Sequence, residues 1–219
     1  MTLKEDKNKI NNGLYIVSTP IGNLKDITLR ALDILKKSNL ILCEDTRVSK
    51  KLLFNYKIEN KILSYHKFNE KKNLDRIIEI LKSGQIVSLI SDAGTPTISD
   101  PGKLLINRCV EEDISVIPIP GPSAVIASMS ISGFSNNFYF HGFLSETENS
   151  IKKEFEVFKS FNCAIVFFVS AKKLNKKFEV LKNFFPDREI LICRELTKLH
   201  ETIYRGKVSE IDILKFNPK

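Results

Sequence analysis

The sequence predicts an α/β protein with two open domains, and three observations lead to this class. Short apolar runs typical of buried strands alternate with amphipathic segments typical of helices along nearly the whole chain. Loops of small residues follow two of the predicted strands, where open α/β sheets place their ligand sites. A stiff connector, Pro118-Ile-Pro-Gly-Pro122, divides the chain. The 219 residues, 42% of them hydrophobic, suffice for a substantial core.

The first half alternates strands and helices in order. Strands are predicted at 14–18, 40–43, 86–90 and 115–119. Helices are predicted at 26–37, 48–54, 74–82 and 103–112. Asp26 can cap the first of these helices, and Gly84 lies where a helix-ending glycine is usual after the third.

The second half repeats this order after the connector. Its strands are predicted at 138–143, 163–169, 189–193 and 202–205. Its helices are predicted at 123–131, 151–161, 174–185 and 209–214. The polar residues 1–12 are expected to form a disordered lead-in, so the predicted domains are 13–119 and 120–219.

Two loops at predicted strand ends are candidate binding elements. The longer one, Ser91–Gly102, consists almost entirely of Gly, Pro, Ser, Thr and Asp, and it lies between a buried strand and a helix. Such a loop brings backbone close to a ligand and offers polar side chains to fix it. The shorter one, Thr19–Asn23, has a similar place after the first strand. Neither matches a dinucleotide-binding or Walker motif.

The charge of +8 matters through its distribution, because a Lys-, Asn- and Ile-rich composition can also reflect genome bias. The segment from Arg47 to Lys72 contains eight basic and two acidic residues, and the segment from Lys172 to Lys182 contains five lysines and one glutamate. Such clusters suit a phosphate backbone, and solvated helix faces are the alternative.

Several protein classes receive no support from the sequence. No run approaches the roughly 20 apolar residues of a membrane helix, and the N-terminus lacks a signal-peptide core. We therefore expect a cytoplasmic protein with no membrane partner. The four cysteines are scattered and the three histidines lack ligand spacing, so we expect free thiols and no metal site.

Five motifs in order carry a family resemblance. They are Leu14–Leu24, Cys43-Glu-Asp-Thr-Arg47, Ser91–Gly102, Pro118–Ala124 and Arg194–Thr202. From about residue 13 to residue 206, the chain resembles the ribosomal RNA small subunit methyltransferase I family, of the tetrapyrrole-methylase (class III) type. The resemblance implies two α/β domains with a cofactor cleft between them and S-adenosylmethionine as methyl donor. It also implies 2′-O-methylation of a cytidine ribose in the decoding region of 16S rRNA, free or in the small ribosomal subunit, by a homodimer.

The resemblance also implies binding residues. For the donor these are Pro20, Gly22, Asp92, Ala93, Gly94, Thr95, Ile98, Ser123, Ala171 and Leu196. Ser123, Ala171 and Leu196 rest on the family's fold rather than on motif identity. For RNA the candidates are Arg47, Lys50, Lys51, Lys57, Arg194 and Lys198. Arg194 has an alternative interpretation as the ion-pair partner of Glu195.

A ribose hydroxyl is a poor nucleophile until its proton is removed or strongly hydrogen-bonded. Candidates for that role are Glu44, Asp45 and His66. A structural ion pair between Asp45 and Arg47, and an ordinary surface histidine at 66, are the respective alternatives.

The chain departs from the family pattern at two places. Val169-Ser-Ala-Lys-Lys173 stands where the family usually has Glu-Ser-Pro-His-Arg, and no segment after Leu214 supplies the family's usual last strand. Two other functions therefore stay open. A tetrapyrrole methyltransferase would need a roomy apolar second site, and a catalytically inactive RNA- or ribosome-binding remnant would lack donor affinity.

Overall fold

A computed structural model describes residues 10–212 of the chain, which divides into two compact units, Met1–Ser123 and Ala124–Lys219. Most of the expected lead-in, the end of the helix predicted at 209–214 and the region of the expected missing strand lie outside the described residues. No described helix is long and apolar enough to cross a membrane.

The first unit is built on a parallel sheet of five strands in the order β3-β2-β4-β1-β5. The strands are β1 Gly13–Val17, β2 Leu40–Cys43, β3 Ile62–Ser64, β4 Ile86–Leu89 and β5 Val116–Ile119. The helices are α1 Leu29–Lys37, α2 Thr46–Asn55, α3 Glu70–Lys82 and α4 Lys103–Glu111. All five strands therefore end at one edge of the sheet, and the loops that follow them gather there.

Helices cover both faces of this sheet, and each face has its own core. Helices α1 and α2 bury Ile34 and Leu53 in one cluster, whereas α3 and α4 bury Ile77 and Leu105 in the other. The chain therefore continues from β2 to a helix on one face of the sheet and from β4 to a helix on the opposite face. Such a divergence opens a crevice beyond the carboxyl ends of the two strands.

The structure corrects the predicted elements of the first half in several respects. Helices α2 and α3 begin at Thr46 and Glu70, before their predicted starts at Val48 and Leu74. Strand β3 is missing from the prediction, because three half-buried residues are too few to show a period. Helix α1 begins at Leu29 rather than at Asp26, because Thr28 accepts a hydrogen bond from the Ala31 amide at 3.1 Å and caps the helix.

In the described part of the second unit, α-helices and strands alternate until the end, where two strands follow each other. These elements are α5 Ala124–Ser132, β6 Phe138–Phe143, α6 Glu148–Phe158, β7 Ala164–Phe168, α7 Leu174–Phe184, β8 Glu189–Arg194 and β9 Thr202–Lys207. Instead of a single open sheet, the described strands form two small ones: β6 pairs with β7 in parallel, and β8 pairs with β9 in antiparallel fashion.

Aromatic packing and a large cavity characterise this second unit. Phe155 is fully buried, and its ring lies 5.6–6.4 Å from those of Phe167, Phe184 and Phe185. A cavity of about 600 Å³ is lined by residues of β7, β8 and α7. Between residues 124 and 212, β7 pairs only with β6 and β8 only with β9, so both strands turn an unpaired edge toward the cavity.

Candidate functional site at the carboxyl edge of the first sheet

The loops after β1 and β4 are joined by reciprocal backbone hydrogen bonds. The Thr19 amide donates to the Gly94 carbonyl at 2.9 Å, and the Gly94 amide donates back to the Thr19 carbonyl at 3.0 Å. The Thr19 hydroxyl also donates to the Ser91 carbonyl at 3.0 Å. Because Thr19 is fully buried, these bonds are shielded from water and hold the two loops in register.

Thr95 extends this connection to the loop after β5. Its hydroxyl lies 3.1 Å from the Pro122 carbonyl, to which it donates, and 3.0 Å from the Ser18 hydroxyl. A hydroxyl has one proton to donate, so Ser18 must be the donor in the second bond. The loops after β1, β4 and β5 therefore form one hydrogen-bonded assembly.

Gly94 lets these loops approach each other. Its φ of +85° is strained for any residue with a side chain, and an added Cβ would lie 3.3 Å from Cγ2 of Ile21 and 3.7 Å from the Pro122 carbonyl oxygen. A glycine at position 94 is therefore what allows the loops after β1, β4 and β5 to pack this closely.

The second part of the Ser91–Gly102 loop is strained. Thr97 and Ser99 have φ values of 68° and 72°, and Gly102 has a φ of +132°. Non-glycine residues in this region each cost about 1–3 kcal/mol and cluster at functional sites. These turns set Asp100 in a half-buried position near Glu44 and Asp92.

The environment of Asp100 makes its carboxylate a stronger base than that of an ordinary aspartate. Burial is the main cause, and repulsion from Glu44 and then Asp92 adds to it; together they raise the pKa of Asp100 to about 6, against the hydrogen bond from Ser91. The sequence analysis did not name Asp100. The sequence feature that could have indicated Asp100 is the repeat of Ser91-Asp92 as Ser99-Asp100 within one loop.

Asp45 is committed to structural contacts. It caps α2 by accepting from the Arg47 amide at 2.8 Å and pairs with the Arg47 guanidinium at 2.6 Å, while its own amide donates to Asp92 at 3.1 Å. The Arg47 hydrogen bonds hold the pKa of Asp45 at about 2. A carboxylate of such low pKa is a weak base.

His66 is held as a hydrogen-bond donor. Its Nδ1 accepts from the Phe68 amide at 3.3 Å, so the neutral ring has its proton on Nε2. In this tautomer His66 can donate to a substrate oxygen but cannot remove a proton from it.

A cavity of about 440 Å³ at this edge brings the catalytic candidates together. It is lined by Glu44, Asp45, Thr46, Arg47, Ser64, His66, Lys67, Phe68 and Asp92. Glu44, Asp45 and His66 thus face one space, which they share with Asp92 of the Ser91–Gly102 loop, named the donor loop for the methyl donor that the resemblance implies it binds. The described residues contain no His, Cys, Asp or Glu group that could hold a metal ion.

Comparison with known proteins identifies the family. A sequence profile described as "Tetrapyrrole (Corrin/Porphyrin) Methylases" matches residues 13–212. The protein "Ribosomal RNA small subunit methyltransferase I" of Mesomycoplasma conjunctivae is 48% identical over 200 residues, which cover 90% of this chain and 84% of that protein. The protein of the same name from Thermotoga maritima is 46% identical over 204 residues, or 90% and 89% of the two chains.

The chain belongs to the ribosomal RNA small subunit methyltransferase I family. The family resemblance stated from the motifs is thereby confirmed. Solved structures agree on the fold: uroporphyrin-III-C-methyltransferase from Thermus thermophilus has a TM-score of 0.63 at 15% identity, covering 94% of this chain and 90% of that one. At this identity the likeness concerns architecture alone, and it confirms the predicted α/β class of the tetrapyrrole-methylase type.

The structure places the family's implied donor residues in both units. Pro20, Gly22, Asp92, Ala93, Gly94, Thr95, Ile98 and Ser123 lie in or beside the joined loops of the first unit. Ala171 and Leu196 belong to the second unit, where Ala171 opens a 3-10 turn after β7 and Leu196 lines the larger cavity. Gly94 and Thr95 have direct contacts within the loop assembly, whereas Ile98 is 45% exposed.

The RNA candidates are also divided between the units. Arg47, Lys50 and Lys51 are exposed on α2, three and four residues apart and therefore on one helix face, and Lys57 follows that helix. In the second unit, Arg194 ends β8. Lys198, the other candidate in this unit, forms an ion pair with Glu195 at 3.2 Å, and the alternative pairing of Arg194 with Glu195 stays a hypothesis.

Proposed function

We propose that this protein transfers a methyl group from S-adenosylmethionine to the 2′-hydroxyl of a cytidine ribose in the decoding region of 16S rRNA. The observation that carries the proposal is the cavity beyond β2, β3 and β4, where a carboxylate-rich donor loop adjoins an exposed basic helix. The names of the relatives support the reaction class, and the motif resemblance supports the choice of nucleotide.

The joined loops fit the proposed donor. S-adenosylmethionine supplies an electrophilic methyl group on a positively charged sulfur when it is bound. The carboxylates of Asp92, Asp100 and Glu44 give this edge the charge that attracts a cation. Gly94 allows the three loops to pack closely, and the hydrogen bonds of Thr19 and Thr95 fix the loops before any ligand arrives.

The carboxylates in and beside the cavity differ in how readily they accept the hydroxyl proton. A general base works best with a pKa near the working pH, which favours Asp100 over Asp45. Glu44 lines the cavity directly and lies near Asp100. We therefore assign proton removal to Glu44 and Asp100, orientation of the hydroxyl to His66, and positioning of α2 to Asp45.

The basic residues of α2 supply the RNA contact in this proposal. Arg47, Lys50, Lys51 and Lys57 are exposed, and of these only Arg47 pairs with a carboxylate in the described chain. Lysines without partners can neutralise phosphates and release counterions. Family membership further supports a homodimer that works in the cytoplasm.

The proposal is tested by methyl transfer from labelled S-adenosylmethionine to small ribosomal subunits that lack native 2′-O-methylation, with the product mapped by mass spectrometry. Label on a decoding-region cytidine ribose is expected. Gly94→Val is the matched negative control, because its side chain would collide with Ile21 and the Pro122 carbonyl in the loops after β1 and β5.

Two other outcomes would replace the proposal. Methylation of a porphyrin-like substrate and not of RNA would indicate a tetrapyrrole methyltransferase, for which the 600 Å³ apolar cavity of the second unit offers space. RNA binding without donor binding would indicate an inactive ribosome-binding remnant.

A further inference from the structure

An aromatic side chain at the smaller cavity is almost fully in water. Phe68 is 95% exposed, although it lines the cavity beside His66, Lys67 and Arg47. Within residues 10–212 its one aromatic neighbour is His66, whose ring meets it edge-on with centroids 6.0 Å apart. Single exposed apolar residues are common, so the setting of Phe68 rather than its exposure carries the argument.

The turn that presents Phe68 is fixed by hydrogen bonds. The His66 amide donates to Oδ1 of Asn69 at 2.8 Å, and Nδ2 of Asn69 donates to the Ser64 carbonyl at 3.0 Å. The amides of Asn69 and Glu70 both donate to the His66 carbonyl, at 2.9 and 3.0 Å. The backbone that carries the ring is therefore fixed, which reduces the backbone entropy lost when a ligand packs on Phe68.

The charges around Phe68 favour a nucleic-acid ligand. Lys67 precedes it, Lys71 and Lys72 follow on the first turn of α3, and all three are exposed. No carboxylate in the described chain forms an ion pair with any of these lysines. An aromatic platform among unpaired cations is the arrangement by which proteins bind single-stranded nucleic acid.

We propose that Phe68 stacks on the base of the nucleotide whose ribose is methylated. The proposal rests on the proposed function. Asp92 belongs to the donor loop and also lines the cavity with Phe68. When the target ribose contacts the donor loop, the base attached to it therefore lies in the same cavity, within reach of the Phe68 ring. The target base must leave its own stack to do so, and stacking on Phe68 replaces the contact it loses.

The experiment compares two RNA probes, a decoding-region RNA hairpin with cytidine at the target position and the same hairpin with an abasic ribose there. Their dissociation constants are measured by fluorescence anisotropy for the wild type, Phe68→Leu, Phe68→Trp and the matched control Phe54→Leu. Phe54 is 84% exposed on α2 but does not line the cavity. Sedimentation velocity on each variant reports its oligomeric state.

The wild type and Phe54→Leu are expected to bind the cytidine hairpin about 5- to 150-fold more tightly than the abasic one, the range typical of an aromatic–base stack. Phe68→Leu should lose this preference, and Phe68→Trp should retain it. Equal preference in Phe68→Leu and wild type would overturn the proposal, as would absence of any preference in the wild type. A change of oligomeric state in Phe68→Leu that accounts for its affinity would assign Phe68 to a protein interface instead.

Methyl transfer to small ribosomal subunits separates this proposal from the proposed function. A wild type that prefers the cytidine hairpin but transfers no methyl group would retain the stacking site and refute the reaction. A wild type that methylates the subunit, with Phe68→Leu methylating at the same kcat/KM and the same base preference, would retain the reaction and refute the stack.

Discussion

The two units organise their strands in different ways. In the first unit five parallel strands pair without interruption, and the loops beyond β1, β4 and β5 bond to one another through Thr19, Gly94 and Thr95. In the second unit, the described strands form two pairs separated by a cavity of about 600 Å³. The first unit is therefore ordered by directional polar contacts at its functional edge, whereas the second depends on the packing of aromatic rings.

This contrast separates the roles of the two units in stability. Hydrogen bonds between buried loops fix one geometry, because each unpaired partner would cost free energy. Aromatic packing stabilises the folded state more strongly, but it fixes the positions of loops less closely. Substitutions in the second unit should thus mainly lower stability, and substitutions at the first unit's edge should mainly alter the site.

The largest effect is expected from Phe155→Ala. It removes a fully buried ring that contacts four other phenylalanines, and such truncations cost about 3–5 kcal/mol. Hydrogen exchange followed by mass spectrometry should show faster exchange in α6, β7 and α7. If exchange in β1 and β4 rises equally, the two units unfold together and the contrast does not hold.

The next effect is expected from Gly102→Ala. Its φ of +132° disfavours a side chain, and the added Cβ would lie 2.6 Å from Leu89 Cδ2 and 2.8 Å from Thr97 Cγ2. Backbone strain and crowding together should lower the free energy of unfolding of the first unit by about 2–4 kcal/mol. Urea denaturation measures this change.

Gly84→Ala is the matched control for Gly102→Ala. Its φ of +82° is also positive, but the added Cβ would meet only the Asn12 side chain, at 3.2 Å. It should cost no more than about 1–2 kcal/mol. Equal costs at both glycines would mean that the packing of the strained loop against Leu89 adds nothing.

A smaller effect is expected from Thr95→Val, which keeps the shape of the side chain and removes its hydroxyl. Loss of the hydrogen bonds to Ser18 and Pro122 should lower the free energy of unfolding by about 1–3 kcal/mol. Calorimetric titration should also show weaker S-adenosylmethionine binding, because three loops lose their common link. Ser130→Ala, which removes an exposed hydroxyl in α5, should leave both quantities unchanged.

The smallest expected effect is the contribution of Asp100 to the pH dependence of the free energy of unfolding. Because folding raises its pKa from 3.8 to about 6, the folded state binds more protons than the unfolded state between these values. The free energy of unfolding therefore falls as pH rises through this window. Asp100→Asn should remove that fall and make the protein more stable at pH 8 by about 1 kcal/mol, once solvent screening of a half-exposed group is allowed for. A wild-type profile that is flat between pH 4 and 6 would contradict the assignment.

The sequence predicted the strands β1, β2, β4 and β5 because each is an apolar run bounded by turn residues. The unusual composition of Ser91–Gly102 also predicted a loop between β4 and α4, and the binding role of this loop stays a prediction. The sequence could not predict β3, which has three residues, or the two-sheet arrangement of the second unit, since pairing between distant strands leaves no local pattern.

The roles of site residues were harder to predict than their positions. Glu44, Asp45 and His66 do line one cavity. The ion pair of Asp45 with Arg47, which the sequence offered as an alternative role, gives Asp45 its low pKa, whereas the hydrogen bond from the Phe68 amide to His66 was not predicted. The raised pKa of Asp100 depends on burial and on Glu44, a residue far away in the sequence. Electrostatic environment is set by tertiary neighbours, which residue types alone do not reveal.

The pairing of β1 has a consequence for synthesis on the ribosome. Gly13 pairs with Ile86 on one side, and Leu14 pairs with Val116 on the other. At the usual translation rate of about 5–20 residues per second, roughly 5–20 s pass between the synthesis of β1 and that of its last partner. Until residue 89 is made β1 has no partner strand, and until residue 119 is made one of its edges stays unpaired. The nascent chain is therefore expected to be a client of ribosome-associated chaperones during that interval.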